Sequence, residues 1–238
     1  MQQISKYFEK ADLPLVVTNE PFATGRGTGD IFQMTIEGKK TEQFKIFKGV
    51  GTDVRVLDVD KSRRQVLLFV KEPKRVFTEV HYDSKQGKNI ETIRETSEGI
   101  KRYLAGMDER HLFISELPHE RGKINTVEDA HRWLKPVEVK DSKKRNDSKV
   151  IRQGEWFFVD VTPEERLSIS EKADCILPNT ALPTRGKPHT ADYLLNVGGQ
   201  TFIKGKVRHA DHKTIKFLDW QRVYRNTERV TNTYGWID

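Results

Sequence analysis

Thr201-Phe202-Ile203-Lys204-Gly205-Lys206-Val207-Arg208-His209-Ala210-Asp211-His212-Lys213-Thr214 is the stretch on which the reading of this chain turns. Its first eight residues alternate with period two, the period of a strand. Phe202, Lys204, Lys206 and Arg208 fall on one face, and Thr201, Ile203, Gly205 and Val207 on the other. Ala210-Asp211 then turns the chain. Lys213–Phe217 and Gln221–Tyr224 read as two more strands, with a turn at Leu218-Asp219 between them. Upstream, Tyr193–Val197 is a strand joined to the quoted one by the turn Gly198-Gly199. The end of the chain is therefore expected to be antiparallel sheet.

Working outward, Glu155–Val161 is strand-like through Trp156, Phe157 and Phe158. Thr162-Pro163 opens a short helix with Thr as N-cap and Pro at N1. Leu177–His189, with Pro178, Pro183 and Pro188, reads as a loop. Before residue 97 the pattern is again period two. Ile31–Ile36 and Gln43–Lys48 form one hairpin across Glu37-Gly38-Lys39-Lys40, and Val54–Val59 and Gln65–Val70 form a second across Asp60-Lys61-Ser62. Val76–Tyr82 follows Pro73, and Leu13–Val17 is an edge strand or turn because of Pro14. The first ninety residues read as an antiparallel meander.

The period changes in the middle. Ile100, Tyr103 and Leu104 have helical spacing, with Gly106 as a stop, so Ser97–Gly106 is expected to be a helix. Leu112–Leu117 is a buried strand, and Thr126-Val127-Glu128-Asp129 opens a second helix that Pro136 ends. Val137–Arg152, apolar-free at its centre, reads as a linker. It divides a first domain, residues 1–140, from a basic β-rich domain, residues 150–238. The class is α+β and predominantly antiparallel β: an N-terminal meander, two middle helices and C-terminal antiparallel strands.

The 238 residues carry 42 Lys+Arg against 35 Asp+Glu, a net charge of +7 that favours polyanionic partners. The longest apolar run is Val66–Val70, too short for a membrane-spanning helix, and Met1–Glu9 has no apolar signal-peptide core. A cytoplasmic protein without membrane association is expected. A single cysteine, Cys175, excludes a disulfide within the chain and a cysteine-built zinc site, and inert buried packing is expected for it. Gly25-Arg26-Gly27-Thr28-Gly29 lacks the Gly-Lys-Ser/Thr of a phosphate-binding loop and precedes a strand rather than a helix.

Basic residues gather in three places. Two are Lys61–Arg75 and Lys143–Arg152, which read as solvated faces. The third has aromatics among its cations. Lys204, Lys206, Arg208, Lys213, Lys216, Arg222 and Arg225 are placed to meet phosphates, with Trp220 and Tyr224 available to stack on unpaired bases. A nucleic-acid partner, RNA or DNA, is therefore expected. The competing reading puts both aromatics in the core.

The sharpest local feature is Arg208-His209-Ala210-Asp211-His212. Two imidazoles and a carboxylate within four residues at a turn suit acid–base chemistry or metal binding, so His209, Asp211 and His212 are the candidate catalytic residues. On a flat strand His212 would point away from the other two, so the turn must bend the chain. His189 is a remote third imidazole, and Glu155 and Asp192 are possible carboxylate partners. The sequence specifies no cofactor; a divalent metal is compatible with this cluster but not favoured over metal-free chemistry or a purely structural turn.

His212-Lys213-Thr214-Ile215 resembles one element of the two-histidine phosphoesterases, whose chemistry needs two. His189-Thr190-Ala191 has the wrong spacing and His111-Leu112-Phe113 lacks the hydroxyl, so no family follows. His111, His119 and His131 read as structural or exposed. Three readings stand: a nucleic-acid binder, a His- or metal-dependent phosphodiester-processing enzyme centred on the turn, and a protein-interaction scaffold. They part on whether His209 and His212 line one cleft with His189 or a carboxylate within reach.

Overall fold

The computed structural model describes residues 2–22, 31–38, 41–85, 87–118, 124–144, 149–183 and 187–228. The glycine-rich loop Gly25–Gly29, His119 and Arg145 lie outside the described residues. The chain forms two compact units, Met1–Arg132 and Trp133–Thr227. No helix among the described residues is long and apolar enough to cross a membrane.

In chain order the elements are α1 (Gln2–Lys10), β1 (Leu15–Thr18), β2 (Gln33–Glu37), β3 (Gln43–Phe47), β4 (Asp53–Asp60), β5 (Gln65–Glu72), β6 (Arg75–Asp83), β7 (Lys88–Thr96), β8 (Gly99–Asp108), β9 (His111–Glu116) and α2 (Val127–Leu134). There follow α3 (Val137–Lys144), β10 (Val150–Gln153), β11 (Trp156–Asp160), α4 (Pro163–Ser170), a 3-10 turn at Ala173–Cys175, β12 (Leu177–Ala181), β13 (Thr190–Val197), β14 (Gln200–Arg208) and β15 (Ile215–Arg225). The fold is α+β and predominantly antiparallel.

In the first unit α1 packs Ile4 and Phe8, and Ala11 just beyond its end, into a core shared by two sheets, β1-β3-β2 and β4-β5-β8-β9. Both expected hairpins form. The expected meander does not. β1 joins β3 in parallel, β5 pairs with β8, and β6 pairs only with β7 as a separate two-stranded ribbon. The helix expected over Ser97–Gly106 is strand β8. β8 lies between β5 and β9 and is buried on both faces: Tyr103 and Ala105 join the core, while Leu104 is buried on the other side opposite Leu67. Burial on both faces removes the alternation by which a strand is recognised. Gly106 is a packing glycine rather than a helix stop. A Cβ there would lie 2.5 Å from Gln65 Cγ and 2.8 Å from the Arg64 carbonyl oxygen.

The second middle helix begins as expected, with Thr126 Oγ1 accepting from Asp129 N–H and the Asp129 carboxylate accepting from Thr126 N–H. The stretch read as a linker is instead helical over Val137–Lys144, because Val139 is fully buried against Phe157 and Val159. The two middle helices are thus α2 and α3.

The second unit is built on one six-stranded sheet, β10-β11-β15-β14-β13-β12. Part of the expected proline-rich loop is its edge strand β12, where Pro178 is tolerated. The turn expected at Leu218-Asp219 is a bulge within one long strand. Between Ile203↔Gln221 and Gly205↔Phe217, three residues of β14 face five of β15. That bulge bends β15. β11 pairs with residues Gln221–Arg225, so the β10–β11 turn lies beyond one end of β15, while the β14–β15 loop lies before the other. A straight strand of this length would separate them by about 30 Å. Yet the Gln153 side-chain amide donates to the Lys213 carbonyl at 2.5 Å. The sheet is therefore curled until its β10 edge meets the β14–β15 loop.

One face of the curled sheet gathers Trp156, Phe158, Leu194, Ile203, Val207, Phe217 and Val223. On its other face α4 contributes Ile169 over Leu195 and Phe202. α4 starts with a full capping box: Glu165 N–H donates to Thr162 Oγ1, and the Glu165 carboxylate accepts from Thr162 N–H. Cys175, expected to be buried, is exposed, because the 3-10 turn runs over the surface and only Ile176 reaches the core.

Candidate functional site

Three connections meet where the sheet curls shut: the β10–β11 turn, the segment entering β13 and the β14–β15 loop. The segment entering β13 delivers His189, the β14–β15 loop His209 and His212, and the β10–β11 turn Gly154. In the β13–β14 ladder Thr190 pairs with Arg208, so continuing the register by one residue sets His189 beside His209. Their rings stack with centroids 4.2 Å apart and planes at 21°. The β14–β15 loop folds back to bring His212 in, 4.7 Å from His209 and 5.4 Å from His189 between centroids. One nitrogen from each ring lies within 4.8 Å of one from each of the others. Among the described residues this is the one cluster of metal-ligating side chains.

The three rings differ in their surroundings. His189 is 1% exposed, and neither of its nitrogens has a hydrogen-bond partner. Burial pushes its pKa down to about 4; the two neighbouring imidazoles add to that, and the Glu155 carboxylate opposes it. His189 is therefore neutral at pH 7. His209 is anchored at both nitrogens: Nε2 donates to the Lys187 carbonyl at 3.0 Å, and Nδ1 accepts from the Asp211 N–H at 3.1 Å. That pattern is one neutral tautomer. His212 is half-buried, and its buried Nδ1 has no partner.

Gly154, in the β10–β11 turn, borders this group. Its φ is +54°, and a Cβ there would lie 3.0 Å from His212 Nε2 and 3.7 Å from His189 Nε2. The bare glycine keeps the edges of two rings clear.

The carboxylates take other roles. Asp211 spans Lys187 Nζ with both oxygens at 3.1 Å, and orients His209 through its backbone N–H rather than its side chain. Asp192, a possible imidazole partner by sequence, serves the backbone instead. The β13–β14 ladder bulges beside Gly205, and Asp192 Oδ2 accepts the Lys206 N–H at 2.8 Å while Oδ1 pairs with Arg208 at 2.6 Å. These partners hold its carboxyl below the usual carboxylate range, the Lys206 N–H being the largest cause. Glu155 acts on His189 through its charge.

The cationic residues separate into two groups. Lys206 and Lys216 are exposed and directly opposite one another in the β14–β15 ladder, with exposed Lys213 in the adjoining loop. Lys204 is half-buried opposite Tyr193. Trp220 packs on the core beneath α4 and Tyr224 on the core beneath α3, the alternative that the sequence left open. Arg225 lies over the Trp156 ring, 6.0 Å from its centroid. Arg222 is buried, with Nε 3.3 Å from the Glu165 carboxylate and Nη2 donating to the Asp160 carbonyl. Arg222→Ala is expected to destabilise the protein by about 2–4 kcal/mol in chemical denaturation, a little below a fully buried pair because Glu165 keeps some solvent. A loss below about 1 kcal/mol would contradict this structural role.

His189, the remote third imidazole, reaches the two turn histidines, and the ladder register that brings it there can be counted from the sequence. Counting outward from the two-residue turn Gly198-Gly199 puts residue 189 opposite residue 208, and the bulge at Gly205 moves the pairing to 209.

The chain matches no protein-family model, and neither a curated protein nor a solved structure is significantly similar to it.

Proposed function

We propose that this protein binds a nucleic acid at the histidine end of its second unit and processes a phosphodiester there, with His189, His209 and His212 at the reacting centre. The observation that carries this reading is the convergence of three imidazoles, two with buried nitrogens that no protein group satisfies. A purely structural turn would leave such nitrogens paired, since buried polar groups without partners are costly. The substrate class comes from the lysines. Lys206 and Lys216 face each other across the ladder, a like-charge pairing that a bound anion would relieve. A phosphate backbone supplies such anions repeatedly, and Lys213 extends the cationic strip toward His212. His209 is the positioned ring, fixed by Lys187 and Asp211. His212, half-buried and beside Gly154, is the accessible ring that no backbone anchor holds in the way His209 is held.

The test compares wild type, Lys206→Ala and His212→Ala on single- and double-stranded RNA and DNA over a range of salt concentrations. Wild type is expected to bind with an affinity that falls steeply with salt and to cleave. Lys206→Ala should bind more weakly, with a salt slope reduced by about one. His212→Ala should fold and bind as wild type but lose roughly a hundredfold or more in turnover. Wild type that binds no nucleic acid at low salt would overturn the proposal. Binding without turnover under any condition would reduce it to a binding role.

A further inference from the structure

We propose that His189, His209 and His212 together hold one borderline divalent transition-metal ion of the Zn2+ class, with a coordination position left open for water. Three neutral imidazoles and an open position are a known zinc donor set. One nitrogen from each ring is already within 4.8 Å of one from each of the others. Tetrahedral ligands on bonds of about 2.0–2.1 Å stand about 3.4 Å apart, so ion uptake draws the stacked rings together and turns their lone pairs toward one point.

Three features of the site favour an ion over simple packing. First, both nitrogens of His189 and Nδ1 of His212 are buried without partners, and an ion would take up one lone pair from each of these under-satisfied rings. Second, His209 Nε2 donates to the Lys187 carbonyl, the backbone anchoring typical of metal-bound imidazoles. That anchor leaves Nδ1 as the coordinating lone pair, so ion uptake exchanges the Asp211 N–H contact for a metal bond. Third, Gly154 leaves space where the Nε2 edges of His189 and His212 approach, and a Cβ would intrude on it.

The donor set also selects the ion. It is all nitrogen, and the nearby Asp211 carboxylate is held by Lys187. Imidazole suits Zn2+, Co2+, Ni2+ and Cu2+, whereas Mg2+ and Ca2+ require oxygen donors. The ion's use in catalysis rests on the function proposed above: it would lower the pKa of a bound water and so supply the nucleophile for a phosphodiester. Its binding rests on the histidines alone.

The 238-residue chain, purified without a polyhistidine tag and stripped with a chelator, is titrated with Zn2+ and Mg2+ by calorimetry and thermal unfolding. Co2+ loading is followed by visible absorption. The expected result is one Zn2+ per chain, a Tm that rises with Zn2+ but not with Mg2+, and the strong absorption of tetrahedral Co2+. His212→Ala should weaken Zn2+ binding roughly a hundredfold or more while leaving the metal-free Tm close to wild type. His189→Gln, at the buried ring, provides a second variant, and His111→Ala, in the first unit, should leave binding unchanged. No Zn2+ uptake by wild type, or uptake that both site variants retain, overturns the proposal. One Zn2+ bound without cleavage of any nucleic acid supports the site and counts against the processing function instead. Cleavage that persists in the stripped protein, with no Zn2+ uptake, does the reverse.

Discussion

Phe158→Ala is expected to cost about 3–5 kcal/mol, the range for deleting a fully buried phenylalanine. The ring is 0% exposed and sits at the centre of the cluster enclosed by the curled sheet, with the Phe217 ring 5.1 Å away between centroids. Its ladder partners on either side, Ile151 in β10 and Val223 in β15, are held in register with β11 by backbone hydrogen bonds, which limits their collapse into the space left behind. Three of the four tryptophans, Trp133, Trp156 and Trp220, belong to the second unit, so fluorescence during denaturation reports mainly its unfolding. The expected result is an earlier fluorescence transition. A loss below about 1 kcal/mol would show that this cluster is not the core that holds the sheet closed.

Gly205→Ala should cost about 2–5 kcal/mol and disturb the histidine cluster as well. Gly205 has φ +89°, in the region that a residue with a side chain occupies at a penalty of about 1–3 kcal/mol. Its added Cβ would also lie 2.6 Å from Asp192 Cβ and 2.7 Å from Oδ2, so Asp192 must move. Moving Asp192 breaks its bonds to the Lys206 N–H and to Arg208, at the base of the loop that carries His209 and His212. Gly198→Asn is the matched control. Its φ is +56°, no atom lies within 4 Å of the added Cβ, and asparagine tolerates this conformation. A loss below about 1 kcal/mol is expected there. If both substitutions cost the same, crowding at Asp192 is not what makes glycine necessary at 205.

Local signals held wherever one face of an element was apolar and the other wet, or where a cap or turn has its own chemistry. The hairpins β2–β3 and β4–β5, the Thr162-Pro163 helix start and the Gly198-Gly199 turn are all of this kind. They failed where burial is two-sided. β8 mimicked a helix because neighbours on both faces count as apolar, and α3 passed for a linker because Val139 alone anchors its polar sequence. A bulge within β15 passed for a turn because the residues that depart from the ladder resemble those that end one.

The fold class, the basic end of the chain and the two histidines of the Arg208–His212 turn are legible locally, since each depends on residues close together in the chain. Long-range pairing brings His189 to that turn, engages Asp192 with Lys206 and Arg208 and Arg222 with Glu165, and turns Trp220 and Tyr224 inward. The reason is the bulged, curled sheet. Curling brings the β10–β11 turn against a loop about sixty residues further along the chain, and bulges at Gly205 and near Asp219 set which side chains meet there. Register and curvature are sums over whole ladders, and no local pattern carries them.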